Sequence, residues 1–223
     1  MEHLALRPFR AQDAQAAASI HAEGQPGTFL TSLGLTFLRG LYGQMAISPL
    51  CYGYVACDDG EVVGIVVGTV DSGAVFKELI WRRGLGLALP VAWAIVRRPS
   101  LLPKVFQTLL YPSKVEAEPG EAELYFIGVR RDWRGKGIGQ VLLQALAQES
   151  RRRGMLSMGL IADAENEPAR RLYGHSGMRE IRRFTLYGRP MIWYRLALQA
   201  ESTLQNGPAL AAELLPLLAT ARH

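Results

Sequence analysis

Hydrophobic positions near the start of the chain follow first a strand-like and then a helix-like spacing. Leu4–Arg7 is typical of a short strand, and Asp13 is a candidate N-cap for an alanine-rich helix through His21. Between residues 29 and 45, large apolar side chains recur every four positions, which places them on one face of a helix. They are Phe29, Leu33, Phe37, Leu41 and Met45. This face lines either the core or a pocket.

A β-hairpin is predicted next. Residues 52–56 and 61–70 are rich in β-branched and aromatic side chains, which favour strands. Asp59 and Gly60 lie between them, and an Asp-Gly pair is a strong hairpin signal. We therefore expect two antiparallel strands here.

The chain from residue 123 onwards alternates strand and helix. ELYFIGV has the uninterrupted apolar character of a buried central strand, and Gly154 follows a strongly striped helix where a left-handed cap is expected. The predicted order is strand 123–129, helix 138–153, strand 155–162, helix 168–177 and a closing hairpin of strands 181–187 and 191–198.

Residues 74–113, which we call the insertion, interrupt this pattern with apolar helical stretches and several prolines. The uncharged part, residues 84–96, contains Pro90 and is shorter than the roughly 20 residues that a membrane-spanning helix needs. Three interpretations are open: ordinary helix packing, a roof over an acceptor pocket, and peripheral membrane contact. The tail, residues 199–223, predicts a helix that packs on the domain or forms a homodimer.

Composition narrows the class of protein. The 223 residues are 49% hydrophobic and 20% charged, which is typical of a globular chain of one compact domain. Cys51 and Cys57 lack the spacing and the histidine partners of a metal site, so we expect no metal. The first residues resemble no signal or transit peptide. A cytoplasmic protein with reduced thiols is the expectation.

The net charge of +5 is local. Between Lys77 and Lys104 there are six basic residues and one acidic residue, so this segment carries the whole excess. A surface that follows a nucleic-acid backbone spreads its basic residues along a face. We therefore expect no nucleic acid among the partners.

Three glycines alternate in RRDWRGKGIGQ, directly after the predicted central strand. Closely spaced glycines at the start of a helix let backbone N–H groups point at one anion, here a phosphate or pyrophosphate. Arg134 and Lys136 would add positive charge. The spacing matches neither the dinucleotide-binding fingerprint nor the P-loop. The alternative is that the glycines only turn a strand into a helix.

Segment 123–178 resembles the GNAT family of N-acetyltransferases. The cofactor turn of that family, Arg/Gln-x-x-Gly-x-Gly/Ala, appears here as Arg134, Gly137 and Gly139, and NEPARRLYGHSGM follows in the family's order. The resemblance implies an α/β (α+β) fold with a mixed, mostly antiparallel central sheet flanked by helices. The domain would span residues 1–198, with the helical insertion between strands 3 and 4.

The resemblance also implies acetyl-CoA as co-substrate. The pantetheine arm would lie along Ile127, Gly128 and Val129 like an added strand, and a bulge in this strand would aim a backbone N–H at the thioester carbonyl. Asn166 would lie near the arm, with helix capping as the alternative. The implied pyrophosphate contacts are Arg134, Gly135, Lys136, Gly137, Ile138 and Gly139.

Two side chains match catalytic positions of the family. Tyr173 would protonate the departing thiolate as general acid, although a tyrosine on a core-facing helix also serves packing. Glu123 would be the general base for a protonated amine, with a water as the alternative base. A solvated glutamate at the start of a strand is the other interpretation of Glu123.

The expected acceptor is an amine on a small molecule or a protein, acetylated by direct transfer. A different class of function is also open, because a chain of this kind can bind acyl-CoA as a sensor or interaction protein without catalysing transfer. The acceptor's identity and the acyl-chain preference are left open by the sequence.

Overall fold

The computed structural model describes residues 4–79, 84–109, 118–186 and 188–198. Its centre is one seven-stranded sheet in the order β1-β2-β3-β4-β5-β7-β6. The strands are β1 Ala5–Pro8, β2 Cys51–Asp58, β3 Glu61–Thr69, β4 Glu121–Val129, β5 Ser157–Asp163, β6 Arg179–Leu186 and β7 Arg189–Ala197. The helices are α1 Ala14–Gly24, α2 Phe29–Ser32, α3 Leu35–Ile47, α4 Ser72–Lys77, α5 Gly84–Arg97, α6 Leu102–Leu109, α7 Ile138–Arg152 and α8 Glu167–His175.

Every neighbouring pair in the sheet is antiparallel except β4 and β5, which are parallel. The chain reaches β5 from β4 through α7, because parallel strands need a crossover connection. This confirms the expected mixed, mostly antiparallel sheet flanked by helices. It also places the one parallel pair at the centre of the molecule.

The two faces of the sheet carry separate apolar clusters. On one face α7 packs through an apolar stripe that includes Leu142 and Leu146, both with no exposed surface, and Tyr173 of α8 joins this cluster. On the other face α1 and α3 cover the sheet, and Phe37 and Phe126 are buried between them. The sheet is therefore buried on both sides around β3 and β4.

Several local predictions are confirmed in detail. Asp59 and Gly60 both have positive φ angles, of 46° and 85°, as the tight turn between β2 and β3 requires. Gly154 has a φ of 79° directly after α7.

One local prediction needs correction, and a second is confirmed in position only. The apolar repeat of residues 29–45 forms two helices, because Gly34 between them has a φ of 95° that no helix continues. Asp13 is the N-cap residue of α1, as predicted, but its side chain makes no capping hydrogen bond to the helix. Its carboxylate accepts hydrogen bonds from Arg7, at 2.7 and 2.8 Å, and from the Arg10 backbone at 2.9 Å, so it fixes β1 to the turn before α1.

The insertion lies between β3 and β4, as expected, and contains α4, α5 and α6. Among the described residues, no helix combines the length and apolarity that crossing a membrane requires. The predicted helix of the tail lies outside the described residues, so its packing or homodimer role stays a prediction.

Candidate active site

The central feature of the site is an opening between β4 and β5. The two strands pair only at Glu121–Ser157, Ala122–Met158 and Glu123–Gly159. Beyond that point β4 continues along β3, and β5 continues along β7. We call this opening the fork. From residue 124 onwards the β4 edge that faces it has no β5 partner, so backbone donors and acceptors there are open to an extended ligand.

A β-bulge occurs in β4 at the start of the fork. Val67 pairs with Phe126, whereas the next residue, Gly68, pairs with Leu124, so Tyr125 is the extra residue. A bulge rotates the local backbone and re-aims its N–H groups. The expected bulge is thus present, and it lies two residues before the Ile127–Val129 segment.

The turn after β4 forms a cradle, which we define as Gly135–Gly139. Gly135 and Gly137 have positive φ angles of 75° and 78°, and Gly137 is the N-cap of α7. The N–H groups of the cradle find no acceptor among the residues that the structure describes. They add to the partial positive charge at the α7 N-terminus. The cradle can therefore bind a phosphate or pyrophosphate group.

The two predicted cations beside the cradle are engaged within the protein. Arg134 donates to the backbone oxygen of Val129 at 2.9 Å and to Glu23 of α1 at 3.2 Å. Lys136 places its ammonium 4.1 Å from the centre of the Trp133 ring. Arg134 therefore fixes the turn to the end of β4, and both cationic side chains lie beside the cradle.

Gly139 and Gly128 both lie against close neighbours. A Cβ on Gly139 would lie 3.3 Å from Leu172 Cδ2, so this glycine lets α8 approach α7. A Cβ on Gly128 would lie 2.6 Å from Phe126 Cζ and 2.8 Å from Ile20 Cγ2. The space beside Gly128 is thus filled by the protein itself, which gives the glycine a packing reason in addition to its predicted place along the pantetheine arm.

Asn166 is the N-cap of α8, and its side-chain oxygen accepts a hydrogen bond from the Ala169 N–H at 3.2 Å. The capping alternative is therefore confirmed, and a contact with the cofactor arm stays a prediction. The cap fixes the start of the helix that carries Tyr173.

Tyr173 is buried beside Tyr194, with ring centres 5.5 Å apart. Burial, with a smaller contribution from Tyr194, raises the phenol pKa well above its ordinary value. No described residue hydrogen-bonds the Tyr173 hydroxyl. The phenol is therefore protonated at neutral pH and able to donate to a ligand.

Glu123 is buried at the last paired position before the fork, so the alternative of a solvated glutamate is wrong. Ser72 of α4 hydrogen-bonds its carboxylate. Ala122 and Leu124 belong to the cluster around α7, and strand alternation therefore directs Glu123 to the opposite face. Glu123 and Tyr173 thus lie on opposite faces of the sheet.

Sequence reasoning missed Ser72 because it lies 51 residues from Glu123 along the chain. It also missed the pair formed by His21 and Tyr42, whose side chains hydrogen-bond at 2.7 Å beneath Phe126. Neither contact leaves a local pattern. Among the described residues, no group of three or more His, Cys, Asp or Glu side chains is arranged to hold a metal ion.

The fold is a mixed, mostly antiparallel α/β sheet that opens beside a glycine-rich helix N-terminus. A sequence profile of the Acetyltransferase (GNAT) family matches residues 22–178, which is most of the chain. The chain belongs to this family. The resemblance inferred from the sequence is confirmed.

Curated relatives match a shorter segment. Mycothiol acetyltransferase from Thermobifida fusca is 39% identical over 67 residues, which is 30% of this chain and 21% of that protein. An uncharacterized N-acetyltransferase, YycN, from Bacillus subtilis is 37% identical over 70 residues, which is 30% of this chain and 45% of that protein. The matches thus span less than half of either relative.

Solved structures share the fold at low sequence identity. The ribosomal-protein-S18-alanine N-acetyltransferase from Escherichia coli superposes with a TM-score of 0.57 at 16% identity, covering 91% of this chain and 99% of that one. The putative acetyltransferase yncA from Salmonella typhimurium, solved with acetyl-CoA, gives 0.58 at 16% identity, covering 92% and 99%. These likenesses support the fold.

Proposed function

We propose that the chain transfers an acetyl group from acetyl-CoA directly to an amine, with the coenzyme lying in the fork. The observation that carries the proposal is the open β4 edge, which ends at a cradle whose N–H groups have no acceptor within the described part of the chain. Coenzyme A has the matching chemistry, since its pantetheine arm carries amides and its nucleotide end carries a pyrophosphate. The relative from Salmonella, which has acetyl-CoA bound, supports the choice of ligand.

The residues around the fork suit this ligand. The Gly135–Gly139 N–H groups, with Arg134 and Lys136 beside them, bind the pyrophosphate, and the amides of the arm pair with Ile127–Val129 as an added strand. Asn166 lies at the start of α8 near the arm. The bulged backbone at Tyr125 supplies a candidate N–H donor for the thioester carbonyl.

Acid and base flank the fork from opposite faces. Glu123, oriented by Ser72, removes a proton from the acceptor amine on the α1, α3 and α4 side, directly or through a water. Tyr173, on the α7 and α8 side, gives its proton to the departing thiolate. Direct transfer passes through a tetrahedral intermediate, and it needs one group to take a proton from the amine and a second to give a proton to the thiolate.

The acceptor is an amine on a small molecule or a protein. The Escherichia coli relative is named for an alanine of a ribosomal protein, and the Thermobifida relative is named for mycothiol. A protein and a small molecule thus both appear in the names of proteins that this chain resembles.

The binding part of the proposal is tested by calorimetry with coenzyme A and with pantetheine, which lacks the pyrophosphate. We expect coenzyme A to bind about a hundredfold or more tightly, because the cradle loses at least two charge-assisted hydrogen bonds with pantetheine. Equal affinities for coenzyme A and pantetheine would mean that the cradle does not bind the pyrophosphate. The absence of heat with coenzyme A would overturn the proposal.

The catalytic part is tested by thiol release across a panel of amines with Tyr173→Phe. We expect kcat to fall about a hundredfold or more with little change in acetyl-CoA affinity, since the proton donor is lost and the ring stays. Tyr52→Phe is the matched control, because it removes the hydroxyl of a buried tyrosine that bonds Ser150 of α7 and has no proposed role in the reaction. Tight acetyl-CoA binding without acetylation of any amine would favour the sensor alternative.

A further inference from the structure

Helix α5 of the insertion is apolar on two faces. Leu87, Val91 and Ala94 follow helical spacing and pack toward α3, where Leu87 lies 3.1 Å from the Cβ position of Gly40. This face explains the ordinary-packing interpretation of the insertion. A helix with one partner carries polar residues on its other face. In α5, however, residues 84–96 contain no polar side chain at all.

The opposite face carries large apolar side chains that the protein leaves exposed. Leu89, Trp93 and Val96, spaced as i, i+4 and i+7, are 77%, 60% and 73% exposed. Leu102, after the end of the helix, is 47% exposed. Single exposed apolar residues are ordinary, but a contiguous row on one helix face marks an interaction surface.

Basic residues border this row. The Arg97 guanidinium lies 4.7 Å from the centre of the Trp93 ring, and Arg98 beside it is exposed. The segment between Lys77 and Lys104 has six basic residues and one acidic residue. A partner surface that fits α5 is therefore apolar where it meets the exposed row and negatively charged where it meets the arginines.

We propose that α5 docks the protein on an anionic lipid bilayer, lying in the plane of the headgroups. Leu89, Trp93 and Val96 enter the acyl boundary, while Arg97 and Arg98 contact lipid phosphates. The helix has 14 residues, about 21 Å in length, and therefore lies on the bilayer without crossing it.

The charge and the chemistry of the face favour lipid over other occupants. A second copy would bring the same basic rim against this one, and like charges repel. Protein interfaces of stable complexes carry about one hydrogen bond per 100–200 Å². The exposed row of α5 offers a single side-chain donor, the Trp93 indole N–H, and no acceptor, which is too few for such an interface. This inference does not depend on the proposed transfer reaction.

Sedimentation of the full chain with sucrose-loaded vesicles tests the proposal. We expect about tenfold or stronger binding to phosphatidylcholine vesicles that contain phosphatidylglycerol than to phosphatidylcholine alone, weakening as salt rises. Trp93→Ser with Val96→Ser is expected to reduce binding about tenfold or more, because the apolar anchors are lost. Arg97→Gln with Arg98→Gln is expected to remove most of the preference for anionic vesicles.

The matched control is Leu156→Ser, which removes a 70% exposed leucine outside the insertion and is expected to leave vesicle binding unchanged. Circular dichroism of each variant verifies that it is folded. Equal binding to both kinds of vesicle, or unchanged binding of the Trp93→Ser, Val96→Ser variant, overturns the proposal. The proposal is also overturned if sedimentation velocity without lipid shows that the wild-type chain is a dimer and that this variant is a monomer. The row would then be an interface between two copies of the chain.

Discussion

His21 is a buried histidine that the proposed reaction does not use. Its ring stacks on Phe126 with centres 4.5 Å apart, and its Nδ1 lies 2.7 Å from the Tyr42 hydroxyl. Burial lowers its pKa to about 4. In the unfolded chain, a histidine binds its proton near pH 6.5. At that pH the buried ring of the folded protein is still neutral.

This difference predicts a pH dependence of stability. Because the unfolded state binds more protons between pH 6.5 and about 4, the contribution of neutral His21 is fully present above 6.5 and is lost as the pH falls toward 4. In the wild type this loss amounts to as much as about 3 kcal/mol of unfolding free energy. We expect it to be absent in His21→Gln. Urea unfolding at several pH values measures it. His175→Gln, at an exposed histidine, is expected to keep the wild-type slope, and an equal slope in His21→Gln would contradict the prediction.

At the level of elements, the closed end of the fork is held by a side chain from a third strand. Arg195 of β7 reaches across β5 and donates to both carboxylate oxygens of Glu121 in β4, at 2.7 and 3.2 Å, and to Glu118 at 2.7 Å. The Glu121 side chain is 1% exposed. This clamp secures β4 and β5 where only three residue pairs join them.

Arg195→Met is expected to cost about 3 kcal/mol or more of unfolding free energy, because it leaves the Glu121 carboxylate buried without its partner. Adding Glu121→Met is expected to recover part of the loss, since no charge is then stranded. Denaturant unfolding of the single and double variants measures both steps. Arg171→Met breaks the exposed pair with Glu167 and serves as control, with an expected cost below about 0.5 kcal/mol. A double variant no more stable than Arg195→Met would refute the clamp.

The sequence predicted elements whose signals are local. The Asp59-Gly60 turn and the cradle are each encoded by a few consecutive residues, and the structure contains both. Gly34 was missed as a break, because the apolar spacing runs through it without interruption. Periodicity reports which residues face the core, but it does not report whether the helix axis changes direction.

The candidate site was predictable only where it follows the chain. The contact of Ser72 with Glu123 and that of Arg195 with Glu121 join residues 51 and 74 positions apart, and single-sequence patterns carry no trace of such pairs. The residue at which the fork starts could not be predicted from the sequence either, because strand register depends on partners in other parts of the chain. The three pairs between β4 and β5 fix that start at residue 124.

At the scale of the whole molecule, the part of the chain that the structure describes up to Leu198 already contains a seven-stranded sheet with an apolar cluster on each face. Strand β7 ends at Ala197, and the Leu198 N–H bonds the Leu156 oxygen at 2.9 Å, which extends the β5–β7 pairing to the last described residue. We therefore propose that residues 1–198 form the folding unit.

A chain ending at Leu198 is expected to unfold within about 0.5 kcal/mol of the full chain, because it keeps all seven strands of the sheet and every residue of the two described clusters. A chain ending at Gly188 is the matched control. It lacks β7, which pairs with both β5 and β6 and carries Arg195, so we expect it to be unfolded. Far-UV circular dichroism and denaturant unfolding compare the three lengths, and sedimentation equilibrium reports whether the tail forms a homodimer. If removal of residues 199–223 alone abolishes cooperative unfolding, the sheet and both clusters cannot fold without the tail. The proposed folding unit of residues 1–198 would then be wrong.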